Sequence, residues 1–487
     1  MKKYHQYRDI PSQLTASLAE CVAVCPYRQS FHVEGDMGYV NDPNGVCFFD
    51  GKYHLFHQWS PLTYSEDSWF QGWYHLVSYD MITWEDAGVG LQTDTVYETH
   101  GAYSGSAIAD GDVMRIFYTG NTRDANNERI PYQVVALMDK AGHLSKVTPP
   151  AIIGYPEGYT DHFRDPKLWK KDGHYYAVIG AQRQDKTGTS LVMHSLDGFD
   201  WSILGEVGTP YQDFGYMWEC PNYFEMDDKG ILLFSPQGLA PEGNYYHNIY
   251  QTGYVVGNQI DKENLRLTDQ KNFVELDRGF DFYAAQVMQT DGRTILFSWM
   301  GLPDINYPTE DYAYCGCLTM PRELFLDGDK LIQKPLPELN NYRKEILSEN
   351  INASEGKVFM TGFKTNLQFS VTKAEERGQV VIKLSASQDG RLGTKLILDY
   401  DRKEIILDRS QAGAPLAEEY GNQRVLLEDL GQQLDLDIYL DRSSLEIFVN
   451  GGQEVASSRI FPGDEQVYTV IEGADAELDM TIYDLTI

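Results

Sequence analysis

The sequence predicts an all-β protein, a five-bladed β-propeller followed by a C-terminal β-sandwich. Three observations carry that expectation. Short apolar or aromatic runs, such as VMRIFYTGN, HYYAVIGAQ and RTILFSWMG, follow one another between turn residues from about residue 31. Asp-Gly pairs at 50–51, 110–111, 172–173 and 291–292 supply hairpin turns. Beneath this texture five polar, glycine- or proline-marked motifs recur every 54 to 62 residues: NDPNG with Asp42, YSGS with Ser104, RDP with Asp165, WEC with Glu219 and DFYA with Asp281. Four strands and their loops fill such a period, and the first strand of each blade lines the propeller axis. Motifs at one phase therefore converge on a single funnel.

The elements follow in chain order. Residues 1–30 form an N-terminal extension whose stretch SQLTASLAECVAVC (12–25), placed after Pro11, has helical periodicity. The propeller is expected over 31–335. Residues 336–350, which overlap KPLPELNNYRKEIL, read as a proline-marked linker. From 351 to 487 the pattern becomes strict period-2 alternation, as in LDLDIYLDRSSLEIFVNGG, with Asn450-Gly451 as a hairpin turn. That is the signature of an antiparallel sandwich.

Composition narrows the function. With 40 Lys and Arg against 72 Asp and Glu, the net charge of −32 repels phosphodiester backbones and anionic membranes, so neither nucleic acid nor a membrane is an expected partner. Six cysteines without paired metal-ligand spacing suggest reduced packing thiols and no zinc. His54 and His57, three apart in a strand, face opposite sides and cannot chelate one ion. The start lacks the apolar stretch of a signal peptide, and no run of about 20 apolar residues occurs, so a cytoplasmic protein is expected. Oligomeric state is not encoded in any recognisable segment.

Three carboxylates stand in unusual backbone contexts. Asp42 and Asp165 each precede a proline, and Glu219 lies one residue before Cys220-Pro221. Proline holds its predecessor extended and thereby aims the carboxylate. Glycoside hydrolysis needs two carboxyl groups about the scissile bond, one of them protonated near neutral pH. Glu219 follows the apolar run Gly215-Tyr216-Met217-Trp218, whose burial would favour the protonated form and the role of acid. Asp42, between the amides of Asn41 and Asn44, is expected to stay ionised as a nucleophile, and Asp165 to stay ionised beside Arg164. Aromatic and amide groups near these motifs, among them Tyr39, Gln58, Trp59, Trp69, Trp73, Tyr103, Trp218 and Tyr283, suit sugar faces and hydroxyls; Ser104 and Gln58 are polar within apolar strands. No nucleophile-elbow, zinc-protease, Walker or dinucleotide motif occurs, and no cofactor or metal is expected.

NDPNG (41–45), FRDPK (163–167) and WECP (218–221), in that order, resemble the three signature motifs of glycoside hydrolase family 32, with further matches at HLFHQW (54–59), FYTGN (117–121), DRGFDFYAAQ (277–286) and DRSSLEIFVNGG (441–452). The stretches GYMWECPNYF and LLFSPQGL are most similar to the intracellular bacterial branch that acts on sucrose 6-phosphate. The resemblance implies a five-bladed propeller with a C-terminal sandwich that hydrolyses terminal β-fructofuranosides with retention. It implies Asp42 as nucleophile, Glu219 as acid/base and Asp165 as transition-state stabiliser. Asn41, Gln58, Trp69, Tyr103, Ser104 and Arg164 fall on its sugar-contact positions. The chain departs from the pattern at Tyr39, where the family commonly has Trp, and at Trp73-Tyr74-His75, where it has W-G-H. The competing readings are an exo-fructosidase of short fructo-oligosaccharides and a carbohydrate-binding protein with a dead site. A phosphorylated substrate would need a local basic cluster, for which Arg123, Arg183 and Arg322 are the loop-borne candidates.

Overall fold

The computed structural model describes residues 2–63, 67–261, 263–373, 375 and 377–487. Five antiparallel sheets, each built on four strands, follow one another from Gly38 to Pro335, and their first strands are Gly38–Phe49, Ala102–Asp110, Tyr159–Lys171, Met217–Met226 and Tyr283–Thr290. These are the blades of the expected propeller. Asp50-Gly51, Asp172-Gly173 and Asp291-Gly292 have positive φ at both residues, the type I′ geometry whose twist matches that of the strands it joins. The apolar cores lie between neighbouring blades, as where Phe56 and Trp73 of the first meet Ile116 and Tyr118 of the second.

Each first strand carries a one-residue bulge at nearly the same height. Pairing with the second strand jumps from Val40 to Pro43, Ala102 to Gly105, Arg164 to Lys167, Glu219 to Asn222 and Tyr283 to Gln286, while the partner advances only two residues. The sequence motifs are thus offset within the repeat. Asp42 and Ser104 occupy the second bulged position, Asp165 the first, and Glu219 the residue before the bulge. The fifth blade places Tyr283, not Asp281, at the phase of Glu219. Asp281 instead lies buried against the sandwich, accepting hydrogen bonds from Arg409 Nη1 at 3.0 Å and the backbone N–H of Arg459 at 2.8 Å.

Side chains beside the bulges link the blades into a ring. Asn44 Oδ1 accepts from Gly105 N–H at 2.7 Å, and Ser106 Oγ accepts from Leu168 N–H at 2.8 Å. Asp165 Oδ2 accepts from Cys220 N–H at 3.1 Å, and Asn222 donates to Ala285 C=O at 2.9 Å. Gln286 closes the circle, accepting from Val46 N–H at 3.1 Å and donating to Gly105 C=O at 2.9 Å. Each bond satisfies a buried backbone group of a first strand.

The sandwich consists of two six-stranded antiparallel sheets around a core that includes Leu367, Ile382, Leu396, Ile438 and Ile471. The expected linker differs. Only Pro337–Tyr342 connects, as a short 3₁₀ helix; Arg343–Asn352 is the edge strand of one sandwich sheet, paired with Glu477–Leu485. Charged residues such as Lys344, Glu345 and Glu349 hide the strand pattern because an edge faces water. The helix at Ser12–Ala23 packs Leu18 and Val22 against the first blade and its neighbours. Among the described residues no helix is long and apolar enough to cross a membrane.

Candidate active site

The five bulges surround one cavity, lined among others by Asn41, Asp42, Gln58, Tyr103, Ser104, Arg164, Asp165 and Glu219. The three carboxylates and five of the six other sequence-predicted residues, from four different blades, therefore share one opening. Trp69 does not join them. It pairs with the N-terminal segment, Lys2–Lys3 running parallel to Ser68–Trp69, and the Lys3 ammonium lies 5.5 Å above its ring. Trp59, Trp73 and Trp218 pack within and between blades: Trp218 is buried and stacks on Phe234 at 4.0 Å between ring centres.

Asp42 is 7% exposed, and one of its oxygens is fully engaged. Oδ2 accepts from Ser104 Oγ at 2.6 Å and from Asn44 Nδ2 at 2.9 Å. Neither of these side-chain bonds uses Oδ1. Burial pushes the carboxyl up to about 6, against the lowering effect of Ser104 and Asn44. The expectation that amides keep it ionised holds only in part, because burial outweighs them. Asn44 is the effective amide, since it bonds Asp42 and Asn41 does not.

Asp165, 5% exposed, sits at φ +69°, a left-handed conformation that strains a residue with a Cβ. Cys220 and Ala284 stand at the same bulge position with φ +46° and +52°. The strained backbone turns the Asp165 carboxylate toward the axis and the Cys220 N–H toward it. Burial raises its pKa in spite of Arg164, and the nearby carboxylates Glu219 and Asp42 raise it further. The expectation of a permanently ionised Asp165 is opposed by burial, which favours the protonated form.

Glu219 is the most open of the three, its side chain 19% exposed. Arg164 grips Oε1 through Nε at 3.1 Å and Nη2 at 2.7 Å. Gln237 Nε2 donates to Oε2 at 2.8 Å, and the Tyr283 hydroxyl donates to the same oxygen at 2.5 Å. Burial, then Glu219 itself, holds that phenol firmly protonated. The apolar surroundings expected for Glu219 are absent because neighbours on a strand face opposite sides: Trp218 points into the blade and Glu219 out of it. Its shell is made of donors.

Gln71, Gln237, Trp299 and Pro303 line or serve the cavity without having been singled out by sequence. A signal for Gln237 existed. The second strand of four blades carries an amide at or near its end after an apolar run, at Gln58, Asn121, Gln182 and Gln237. Each amide reaches a first strand or the loop before one: Gln58 to Ala102 C=O, Asn121 to the Tyr103 hydroxyl, Gln182 to Tyr216 C=O and Gln237 to Glu219.

Burial favours the protonated forms of Asp42 and Asp165, while the Arg164 guanidinium supplies a compensating charge beside Asp165 and Glu219. Such a site can attack a carbon with one carboxylate and hand a proton to a leaving oxygen with another. Residues 32–335 match the glycosyl hydrolases family 32 N-terminal domain and residues 336–484 its C-terminal domain. A sucrose-6-phosphate hydrolase of Staphylococcus xylosus is 37% identical over 99% of this chain and 98% of its own length. One from Vibrio alginolyticus is 38% identical over 89% of this chain and 86% of its own. Among solved structures, sucrose-6-phosphate hydrolase from Lactobacillus gasseri superposes with a TM-score of 0.89 at 31% identity, covering 99% of this chain and 98% of that one. A Bombyx mori β-fructofuranosidase solved as a mutant with sucrose gives 0.83 at 30%, covering 99% of both chains. The cavity, the order of its motifs and matches that run through both domains lead to one assignment: the chain belongs to glycosyl hydrolase family 32.

Proposed function

We propose that this chain hydrolyses the terminal β-fructofuranoside bond of sucrose 6-phosphate, and of sucrose, by double displacement. The observation that carries the mechanism is the unequal treatment of two carboxyls in one cavity. Asp42 is clamped through one oxygen, leaving Oδ1 for attack at the fructosyl anomeric carbon. Glu219, more open and bridged to the Tyr283 hydroxyl, is positioned to protonate the departing glucosyl oxygen. Attack forms an ester between Asp42 and fructose; water activated by Glu219 then cleaves it, so configuration is retained. Asp165, held on its strained bulge, lies ready to bind sugar hydroxyls and offset positive charge on the ring as the bond breaks. Asn41, Gln58, Tyr103, Ser104 and Arg164 supply the polar and aromatic walls. The nearly full-length similarity to sucrose-6-phosphate hydrolases supports the choice of substrate.

The test is direct. Purified protein should release fructose from both substrates, with the higher kcat/KM for the phosphate ester, and NMR of the first turnovers should show β-fructofuranose. No release from either substrate would refute the reading, and α-fructofuranose as first product would refute the two-step mechanism.

A further inference from the structure

In a protein of net charge −32, Lys3, Arg123 and the imidazole of His100 gather on elements that also carry cavity-lining residues. Lys3, on the strand paired with Ser68–Trp69, stands two residues from the cavity-lining Gln71 in the register of that pairing. His100 lies three residues before Tyr103, and Asn121 ties the two together by donating to the His100 C=O at 3.1 Å and the Tyr103 hydroxyl at 3.0 Å. Arg123 ends the same strand, two residues beyond Asn121. Lys3 and His100 each feel Arg123 as a repelling charge, and His100 feels Lys3 and His5 as well. Among the described residues neither Lys3 nor Arg123 forms an ion pair. Arg123 donates only to the Asn127 C=O of its own hairpin, at 2.9 Å.

The other two loop-borne candidates are already spent. Arg183 is bound by Glu206 at 2.8 and 2.6 Å, and Arg322 lies fully buried between Asp277 and Glu446. Like charges gathered at a rim, in a chain with a large surplus of acids, cost stability unless an anion completes them. We infer that Lys3, His100 and Arg123 form a phosphomonoester site at the mouth of the cavity, receiving the phosphate of the leaving sugar. This rests on the hydrolase reading for its substrate, while the anion site itself stands on the cluster. A flexible ammonium and a guanidinium both suit a tetrahedral dianion. The N-terminal segment thereby gains a role in binding, because its strand holds Lys3 at the opening.

The test compares wild type with Arg123→Gln and Lys3→Gln. The readout is the ratio of kcat/KM for sucrose 6-phosphate to that for sucrose, which cancels any general loss of active protein. Calorimetric binding of glucose 6-phosphate and of glucose is the second measurement. Loss of one charge-assisted contact should lower the ratio about ten- to a hundredfold and weaken glucose 6-phosphate binding by a similar factor. An unchanged ratio in both variants, or a wild type that binds glucose 6-phosphate no better than glucose, would overturn the site. A wild type inert toward both disaccharides that still binds glucose 6-phosphate in an Arg123-dependent way would sink the hydrolase reading and leave the site standing.

Discussion

At Asp42 the balance between burial and hydrogen bonding sets the working pH. The carboxyl must be ionised to attack, and burial lifts it to about 6. Activity governed by this group is therefore present above that pH and lost as pH falls through it. The acid limb of kcat/KM should lie near 6, well above an ordinary aspartate at about 3.9. Ser104 and Asn44 oppose the effect of burial, so Ser104→Ala should move the limb upward by about one unit, the worth of a hydrogen bond to a charged group. A pH profile of each protein on sucrose decides it; a limb that stays put in the variant would show that Ser104 does not hold the carboxylate. These positions were legible in the sequence because a proline follows Asp42 and Asp165 and nearly follows Glu219. Their protonation was less legible. Burial depends on where five strands meet, and the donors around Glu219 come from 55, 18 and 64 residues away along the chain.

The bulged first strand is the element that turns five similar sheets into a site. Its extra residue shifts successive side chains relative to the ladder, and the ring of Asn44, Ser106, Asp165, Asn222 and Gln286 satisfies backbone groups of the neighbouring first strands. Gln286 joins the last blade to the first two. Gln286→Ala would strand the Val46 N–H and weaken the seam at Gly105, costing about 2–4 kcal/mol. Urea unfolding should show that loss, whereas Gln289→Ala, on the same strand at a more exposed position, should cost under about 0.5 kcal/mol. Equal effects would mean that the ring contributes little. The repeat was readable from sequence to within a residue or two. Its exact phase was not, because a polar residue in such a motif can serve another contact; Asp281 stands in the sequence repeat where Tyr283 holds the phase, and its carboxylate is taken by Arg409 and Arg459 of the sandwich. The pairing of Trp69 with the N-terminal segment was not legible, because its partner is a strand of two lysines, which no strand pattern announces.

Across the whole molecule, propeller and sandwich are joined through buried charge. Arg322 of the fifth blade is fully enclosed, bound to Glu446 at 2.6 Å, to Asp277 at 3.0 Å and to Ser457 at 2.5 Å. His32, in the segment leading into the first blade, meets the same Glu446 at 3.0 Å and Asp441 at 2.9 Å, and these carboxylates push it up to about 9 against burial. Removing one member of such a network leaves a buried charge without its partner, at a cost of about 3–5 kcal/mol. Arg322→Ala should lower the melting temperature and split one calorimetric transition into two, as the domains lose their coupling. A variant that still melts in one transition at the wild-type temperature would show that the domains are held by their apolar contacts instead.

The division of labour between Asp42 and Glu219 is tested most directly by an aryl β-fructofuranoside with an acidic phenol, given to Asp42→Ala and Glu219→Ala. General acid help is worth about 10² to 10⁴ in rate, and sucrose, with its poor leaving group, should lose at least that in Glu219→Ala. The activated aryl substrate needs no proton, so the same variant should release a burst of phenol and then stall at the Asp42 ester for want of a base. Added azide should restore turnover. Asp42→Ala should show neither burst nor rescue. A burst in Asp42→Ala, or full sucrose cleavage by Glu219→Ala, would contradict the assignment of both carboxyls.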